Sequence, residues 1–236
     1  MKLPKIYFIP GMGANKDLFV NQRTAGFEME VLEWITPYAQ ESIEDYSGRL
    51  SEGINTNEEF ILAGVSFGGI IAVEIAKKLP PQKTILISSV PTYQEYPLLL
   101  KLFSRLPLYK MTPKSAHSNA IVQKFILYSM GLQTDQGKEI FLDMLKHSDI
   151  QFIQWAIHAL IKWRNTVLPS SLVRIHGEID RVFPIRKIKN AYCIPGGHSI
   201  ILEDAENVNN ILRSVIENTP LKDCTETLLS KNSIDF

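Results

Sequence analysis

Short apolar runs alternate with amphipathic segments along most of the chain. Unbroken apolar runs are typical of parallel strands covered on both faces, and apolar positions three or four residues apart are typical of helices. The succession predicts an α/β fold with one mostly parallel, doubly wound sheet of about six strands and a ligand site beyond their carboxyl ends. The pattern places strands at residues 6–9, 29–34, 60–65, 84–87, 172–175 and 191–194, and helices at 42–53, 67–79, 121–130, 138–146 and 150–163.

The stretch 91–169 interrupts this alternation, because it contains helix-like segments and no convincing strand. We interpret it as a helical cap inserted into a core formed by residues 1–90 and 170–220, with residues 221–236 as a polar tail. Most large apolar side chains of the cap are expected in its own core, and the rest are expected to face a substrate. These side chains are Phe103, Leu106, Phe125, Tyr128, Phe141, Phe152, Trp155 and Trp163.

Composition narrows the classes of partner. The chain has 236 residues, 45% of them hydrophobic, which is enough to bury a sizeable core. Its 25 Lys and Arg residues balance 25 Asp and Glu residues, so no long-range field favours nucleic acid or an anionic membrane, and a small molecule fits better. No apolar stretch approaches the ~20 residues of a membrane span and no signal peptide is recognised. We therefore expect no stable membrane insertion and a cytoplasmic location.

Metal, redox and phosphate motifs are missing from the sequence. Cys193 and Cys224 belong to no CxxC or His-rich spacing and are expected to be buried or unreactive thiols. Neither GxGxxG nor a GK[ST] loop occurs. We expect no metal and no organic cofactor. No heptad or interface stripe stands out, which leaves the oligomeric state open.

The strongest chemical motif is a serine between two glycines. Gly64-Val-Ser66-Phe-Gly68 lies between a predicted strand and a predicted helix. A serine hydroxyl is a weak nucleophile unless a tight turn raises it out of the backbone beside a base. Glycines let neighbouring backbone pass close to such a serine, and the helix amino end directs free N–H groups at incoming negative charge. Ser66 is therefore the candidate nucleophile.

This motif in its context resembles the α/β-hydrolase family, with a likeness from about residue 5 to about residue 215 that is weakest in the cap. Two further motifs carry the resemblance. His176-Gly-Glu-Ile-Asp180, with Arg-Val-Phe-Pro after it, resembles the segment bearing the family's triad acid, and Ile-Pro-Gly-Gly-His198 resembles its histidine loop. The order Ser, Asp, His along the chain is that of the family. The resemblance therefore implies Asp180 and His198 as partners of Ser66.

The remaining acidic and histidine residues are weaker candidates. Glu178 is the nearest alternative acid, whereas the segment 88–91 after the fourth strand contains no carboxylate. His176 fits a structural role at a strand end. His117, His147 and His158 fall in the cap without a motif.

The resemblance also implies an oxyanion hole made by the backbone N–H groups of Met12 and Phe67. Met12 follows the first predicted strand, where the family usually has His-Gly before the donor residue. Pro10 stands in place of that histidine. Since the donor is a backbone group, we expect the hole to remain.

The implied activity is a serine hydrolase that cleaves a carboxylic ester or thioester through an acyl-enzyme. Residues 64–79 resemble the nucleophile region of acyl thioesterases, which is the first alternative. A carbon–carbon bond hydrolase or lyase and a non-catalytic small-molecule receptor on the same fold stay open as well. A dehalogenase is disfavoured, because that branch of the family has aspartate at the position of Ser66. A cap rich in Trp, Phe and Leu suggests an apolar acyl group.

Overall fold

The computed structural model describes residues 3–97 and 120–219. Six strands form one parallel sheet in the order β2-β1-β3-β4-β5-β6. The predicted sheet of about six parallel strands is therefore confirmed. The strands are β1 (Lys5–Ile9), β2 (Met29–Val31), β3 (Phe60–Val65), β4 (Lys83–Ile87), β5 (Leu172–Gly177) and β6 (Tyr192–Ile194).

Some residues singled out in the sequence lie outside the described residues. They are Phe103, Leu106, His117, Cys224 and the tail 221–236.

Side chains of the central strands are buried on both faces of the sheet. In β1, Tyr7 and Ile9 belong to one hydrophobic cluster, whereas Ile6 and Phe8 belong to another on the opposite face. Alternate residues of a strand point to opposite faces, so both faces must be covered. This arrangement explains why the strands appear as unbroken apolar runs in the sequence. The edge strand β2 ends at Val31 and not at residue 34.

The helices cover both faces of the sheet. Ser42 begins α2 by accepting a hydrogen bond from the N–H of Asp45 (3.0 Å). Thr134 likewise accepts from the N–H of Gly137 (3.0 Å), and α5 therefore begins three residues earlier than predicted. The helices are α1 (Val20–Thr24), α2 (Ile43–Leu50), α3 (Phe67–Lys78), α4 (Ala120–Met130), α5 (Asp135–His147), α6 (Ile150–Lys162), α7 (Ile200–Glu203) and α8 (Ala205–Glu217).

Helices α4, α5 and α6, here called the inserted helices, lie between β4 and β5 in the chain. One face of α6 is buried against the core through Phe152, Trp155 and Ala159. The indole of Trp155 also donates to the carbonyl of Glu41 (2.9 Å). Both kinds of contact hold α6 on the sheet domain.

A buried carboxylate fixes the end of the inserted helices. Trp163, directly after α6, donates its indole N–H to Glu74 Oε1 on α3 (2.7 Å). Glu74 is fully buried, and Lys77 Nζ lies 2.5 Å from its other oxygen. A buried charge is tolerated when it is paired and hydrogen-bonded in this way. The residue that follows α6 is therefore joined to the helix that begins at Phe67.

Helix α4 departs from the expected burial. Phe125 and Tyr128 are 69% and 62% exposed, although such side chains were expected in a core. The opposite side of α4 is half-buried and includes Ile126 and Met130. The sequence pattern identified the helix but not which of its faces is covered.

Candidate active site

Ser66 lies in a sharp turn between β3 and α3. Its backbone has φ 52° and ψ −118°, a conformation that side chains with a Cβ rarely adopt. Three hydrogen bonds hold it there: its N–H donates to the carbonyl of Ile87 (3.0 Å), and its own carbonyl accepts from Ser89 Oγ (2.6 Å) and from the N–H of Gly69 (3.0 Å). The turn is thus fixed by neighbouring β4 and the segment after it.

The glycines beside Ser66 are required by close packing. A Cβ on Gly64 would overlap the carbonyl oxygen of Gly68, and a Cβ on Gly68 would overlap the carbonyl oxygens of Ile9 and Pro10. The turn therefore packs directly against the end of β1. This contact gives a physical reason for the glycines of the motif.

His198 reaches Ser66 from the loop after β6. Its Nε2 lies 2.8 Å from Ser66 Oγ across 132 residues of sequence. The loop is held by the inserted helices, because the N–H of Ser199 donates to the carbonyl of Met130 (2.9 Å) and Glu203 accepts from the N–H and hydroxyl of Thr134 (both 3.0 Å). The position of the imidazole therefore depends on the segment between β4 and β5.

Asp180 supports the other side of the imidazole. His198 Nδ1 lies 2.8 Å from Asp180 Oδ2. Asp180 Oδ1 accepts from the backbone N–H groups of Val182 (2.7 Å) and Phe183 (2.9 Å). These two backbone bonds orient the carboxylate so that its second oxygen faces His198. The alternative acid, Glu178, is exposed.

His176 is a further neighbour of Asp180. It is fully buried at the end of β5, and its Nε2 lies 2.7 Å from the carbonyl of Phe183 and 3.2 Å from Asp180 Oδ2. A carbonyl can only accept, so Nε2 of His176 carries the hydrogen. The sequence assigned His176 a structural role, and its spacing of four from Asp180 did not reveal this contact.

The electrostatics favour an ionised Asp180. Burial alone would raise the pKa of this carboxyl, but the nearby His198 and hydrogen bonds from His176 and His198 outweigh it and hold the pKa well below its usual range. An ionised Asp180 accepts a hydrogen bond from His198 Nδ1, which leaves Nε2 of the neutral imidazole free to accept the Ser66 hydroxyl proton.

The two candidate oxyanion donors, Met12 and Phe67, line the same cavity as Ser66 and His198. Phe67 is the first residue of α3, so its N–H has no acceptor within the helix. Met12 lies in the turn closed by a hydrogen bond from the N–H of Ala14 to the carbonyl of Gly11 (3.0 Å).

The cavity has a volume of about 810 Å³ and its walls are mainly apolar. Part of its wall comes from α4, α5 and α6, through Ile126, Phe141 and Ile153 among others. Arg181 and Arg186 are also among the residues that line it. Such a cavity is suited to a small apolar molecule whose reacting group lies at Ser66.

The remaining candidates lie elsewhere. His147 pairs with Asp143 on α5 (3.4 Å) and is exposed, and His158 lies on α6 outside the lining of this cavity. Burial raises the pKa of the Cys193 thiol. Within residues 3–97 and 120–219, no group of three or more His, Cys, Asp or Glu side chains is arranged to hold a metal ion. No helix in that part of the chain has the length and apolar character needed to cross a bilayer.

Comparisons with known proteins agree on the fold. No protein-family model and no curated protein match the sequence. Among solved structures, an esterase from Thermogutta terrifontis matches with a TM-score of 0.72 and 15% identity over 91% of this chain and 90% of its own. MenH from S. aureus matches with a TM-score of 0.70 and 13% identity over 92% and 95%.

An enol-lactonase from Burkholderia xenovorans LB400 also matches, with a TM-score of 0.68 and 14% identity over 92% of each chain. The parallel sheet, its covering helices and these likenesses together define the class: the chain has the α/β-hydrolase fold. The similar structures carry different activities, so the reaction must be argued from this chain's own site.

Proposed function

We propose that this protein is a serine hydrolase that cleaves a carboxylic ester or thioester. The observation that supports this proposal best is the chain of contacts from Ser66 Oγ to His198 Nε2 (2.8 Å) and from His198 Nδ1 to Asp180 Oδ2 (2.8 Å). Nucleophile and base within hydrogen-bond reach, with a third group orienting the base, are the geometric requirement for this chemistry.

In this mechanism Ser66 Oγ attacks the substrate carbonyl carbon while His198 Nε2 takes the hydroxyl proton. Asp180 stabilises the resulting imidazolium. The tetrahedral intermediate then collapses as His198 returns the proton to the leaving alcohol or thiol, which gives an acyl-enzyme. Water attacks the acyl-enzyme by the same route and releases the acid.

The backbone N–H groups of Met12 and Phe67 stabilise the oxyanion in this proposal. Removal of one such donor typically costs about 3 to 4 kcal/mol of transition-state stabilisation. Because both donors are backbone groups, the proline at position 10 does not remove either of them.

The apolar cavity supports an acyl substrate. A thioester remains the first alternative to an oxygen ester, since the same contacts serve both. A carbon–carbon bond hydrolase and a receptor without turnover stay open as well, because the fold does not distinguish among these activities. The alignment of Ser66, His198 and Asp180 favours catalysis over binding alone.

Covalent labelling tests the nucleophile. A fluorophosphonate probe is expected to label the wild-type protein and the Ser129→Ala variant, whose lost hydroxyl bonds the carbonyl of Phe125 on α4. Ser66→Ala is expected to lose the label. Labelling that survives in Ser66→Ala would place the nucleophile elsewhere.

A substrate panel tests the reaction. Rates on p-nitrophenyl esters of increasing chain length are compared with rates on acyl-CoA compounds of matched length. Turnover of esters, thioesters or both that disappears in Ser66→Ala supports the proposal. Absence of turnover in both classes would contradict it.

A further inference from the structure

The cavity that contains Ser66 is mainly apolar, and two arginines are among the described residues that line it. Arg181 and Arg186, from the segment after β5, both line it. No Asp or Glu is found among the described residues that line it. Both arginines are exposed to solvent while they line the cavity, so an anion can reach their guanidinium groups.

Neither arginine forms an ion pair with an acidic residue in the described part of the chain. The guanidinium of Arg186 makes no hydrogen bond or ion pair with any residue that the structure describes. Arg181 donates to the carbonyl of Tyr128 (3.1 Å) and lies over its ring (4.2 Å). By contrast, Arg49 and Arg174 each pair with a glutamate, Glu41 and Glu95.

The stretch of sequence that contains two cavity-lining residues, Pro97 and Ile126, has no acidic residue. Between Tyr96 and Thr134 the chain contains five Lys or Arg residues and no Asp or Glu. Pro97 and Ile126, which lie within this stretch, both line the cavity. This stretch of sequence is therefore basic, although the chain as a whole has zero net charge.

Resting on the proposed hydrolase function, we propose that the substrate is an acyl ester or thioester that carries a second, anionic group, bound by Arg186 with Arg181. Guanidinium groups bind carboxylate and phosphate through paired, charge-assisted hydrogen bonds. The apolar wall holds the chain between the anion and the reacting carbonyl. The anion is either a carboxylate at the far end of the acyl group or a phosphate at the far end of the thiol that leaves.

Two matched substrate pairs distinguish these sources. Mono-p-nitrophenyl adipate and p-nitrophenyl hexanoate differ by a carboxylate on the acyl side. Hexanoyl-phosphopantetheine and hexanoyl-pantetheine differ by one phosphate on the leaving group. The wild-type protein is expected to favour the anionic member of one pair by about tenfold in kcat/KM. The pair that shows the preference identifies the source.

Variants identify the binding group. Arg186→Gln is expected to remove most of the preference, whereas Arg186→Lys retains part of it and added salt weakens it. Arg213→Gln is the matched control, because Arg213 also donates to one carbonyl, that of Ala25 (2.9 Å), and lies near a ring, that of Phe27 (5.4 Å), on α8 outside this cavity. Arg213→Gln is expected to keep the preference unchanged.

Equal rates within both pairs for the wild-type protein, or an unchanged preference in Arg186→Gln, would overturn this inference and leave the hydrolase proposal standing. If the wild-type protein neither turns over any of these substrates nor is labelled at Ser66, the hydrolase proposal is overturned. In that case calorimetry on Ser66→Ala decides the anion site: adipate must bind more tightly than hexanoate, or phosphopantetheine more tightly than pantetheine. Equal affinities within both pairs would overturn the proposed anion site.

Discussion

His176 Nε2 lies 3.2 Å from Asp180 Oδ2, the same oxygen that faces His198 Nδ1. One carboxylate oxygen is thus contacted from two sides. The contact from His176, at the end of β5, orients the carboxylate. The contact from His198, in the loop after β6, is the one that the proposed mechanism requires.

His176→Phe is expected to reduce kcat/KM about tenfold on any ester that the protein hydrolyses, because the Asp180 carboxylate loses a hydrogen bond that orients it. His176→Gln, which keeps a donor, is expected to restore part of the rate. Steady-state kinetics with a thermal-unfolding control for each variant measure this effect. His147→Phe, at an exposed position on α5, is the control for replacing a histidine. Equal rates in His176→Phe and the wild type would refute the positioning role.

Asp180 is expected to make stability depend on pH in acid. Its pKa in the folded protein lies below the ordinary value of 3.8, so the ionised form stabilises the fold fully above that value. This contribution is lost as the pH falls from 3.8 towards the lower folded pKa. Urea unfolding at several pH values should show a steeper acid loss in the wild type than in Asp180→Asn. Parallel curves would contradict the prediction.

The strained backbone of Ser66 predicts a difference between two inactive variants. Glycine adopts φ 52° without a Cβ penalty, whereas alanine retains the strain. Ser66→Gly is therefore expected to be more stable than Ser66→Ala by about 1 kcal/mol. Urea midpoints of the two variants compare them directly, and a more stable Ser66→Ala would show that the turn is not strained.

The close packing of the turn predicts that Gly68→Ala destabilises the fold by about 3 kcal/mol, because the backbone of Ile9 and Pro10 would have to move. Gly48→Ala on α2 provides the control. A Cβ there meets only the end of the flexible Lys78 side chain (3.1 Å). That variant is expected to gain about 0.5 kcal/mol from helix propensity. Chemical unfolding of both variants tests the contrast, which would vanish if the turn could relax.

The inserted helices are expected to set acyl chain length. Ile126→Trp fills the cavity from α4 and should lower the kcat/KM for p-nitrophenyl octanoate, relative to the butyrate, by about tenfold. Ile121→Trp on the same helix, at a position 78% exposed, should leave this ratio unchanged. A shift of the same size in both variants would mean that the cavity wall does not contact the acyl group.

The sequence was sufficient for the number and type of strands, because unbroken apolar runs follow from burial on both faces. It was also sufficient to bring Ser66, Asp180 and His198 forward as a group, through local motifs. It missed the end of β2, which depends on pairing at a sheet edge, and the Thr134 cap of α5. These details depend on neighbours that a linear pattern does not identify.

The contacts made by His176 and the charge of the cavity were equally hidden. His176 reaches Asp180 only because the turn after β5 folds back on the strand end. Arg181 and Arg186 are exposed residues, and only the structure shows that they line the cavity that also contains Ser66. Exposure on α4 was misjudged for the same reason, since helical spacing does not tell which face of a helix is covered.

The bond between Trp163 and Glu74 limits how this chain can be recombined with others of its fold. A chimera that exchanged the inserted segment together with Trp163 would leave the buried Glu74 Oε1 without its hydrogen bond, and only the ion pair with Lys77 would remain. A crossover placed just before Trp163 would exchange the helices and keep the hydrogen bond from the Trp163 indole to the Glu74 carboxylate. The position of the junction, together with the packing of the exchanged helices, therefore affects which exchanges yield a folded protein.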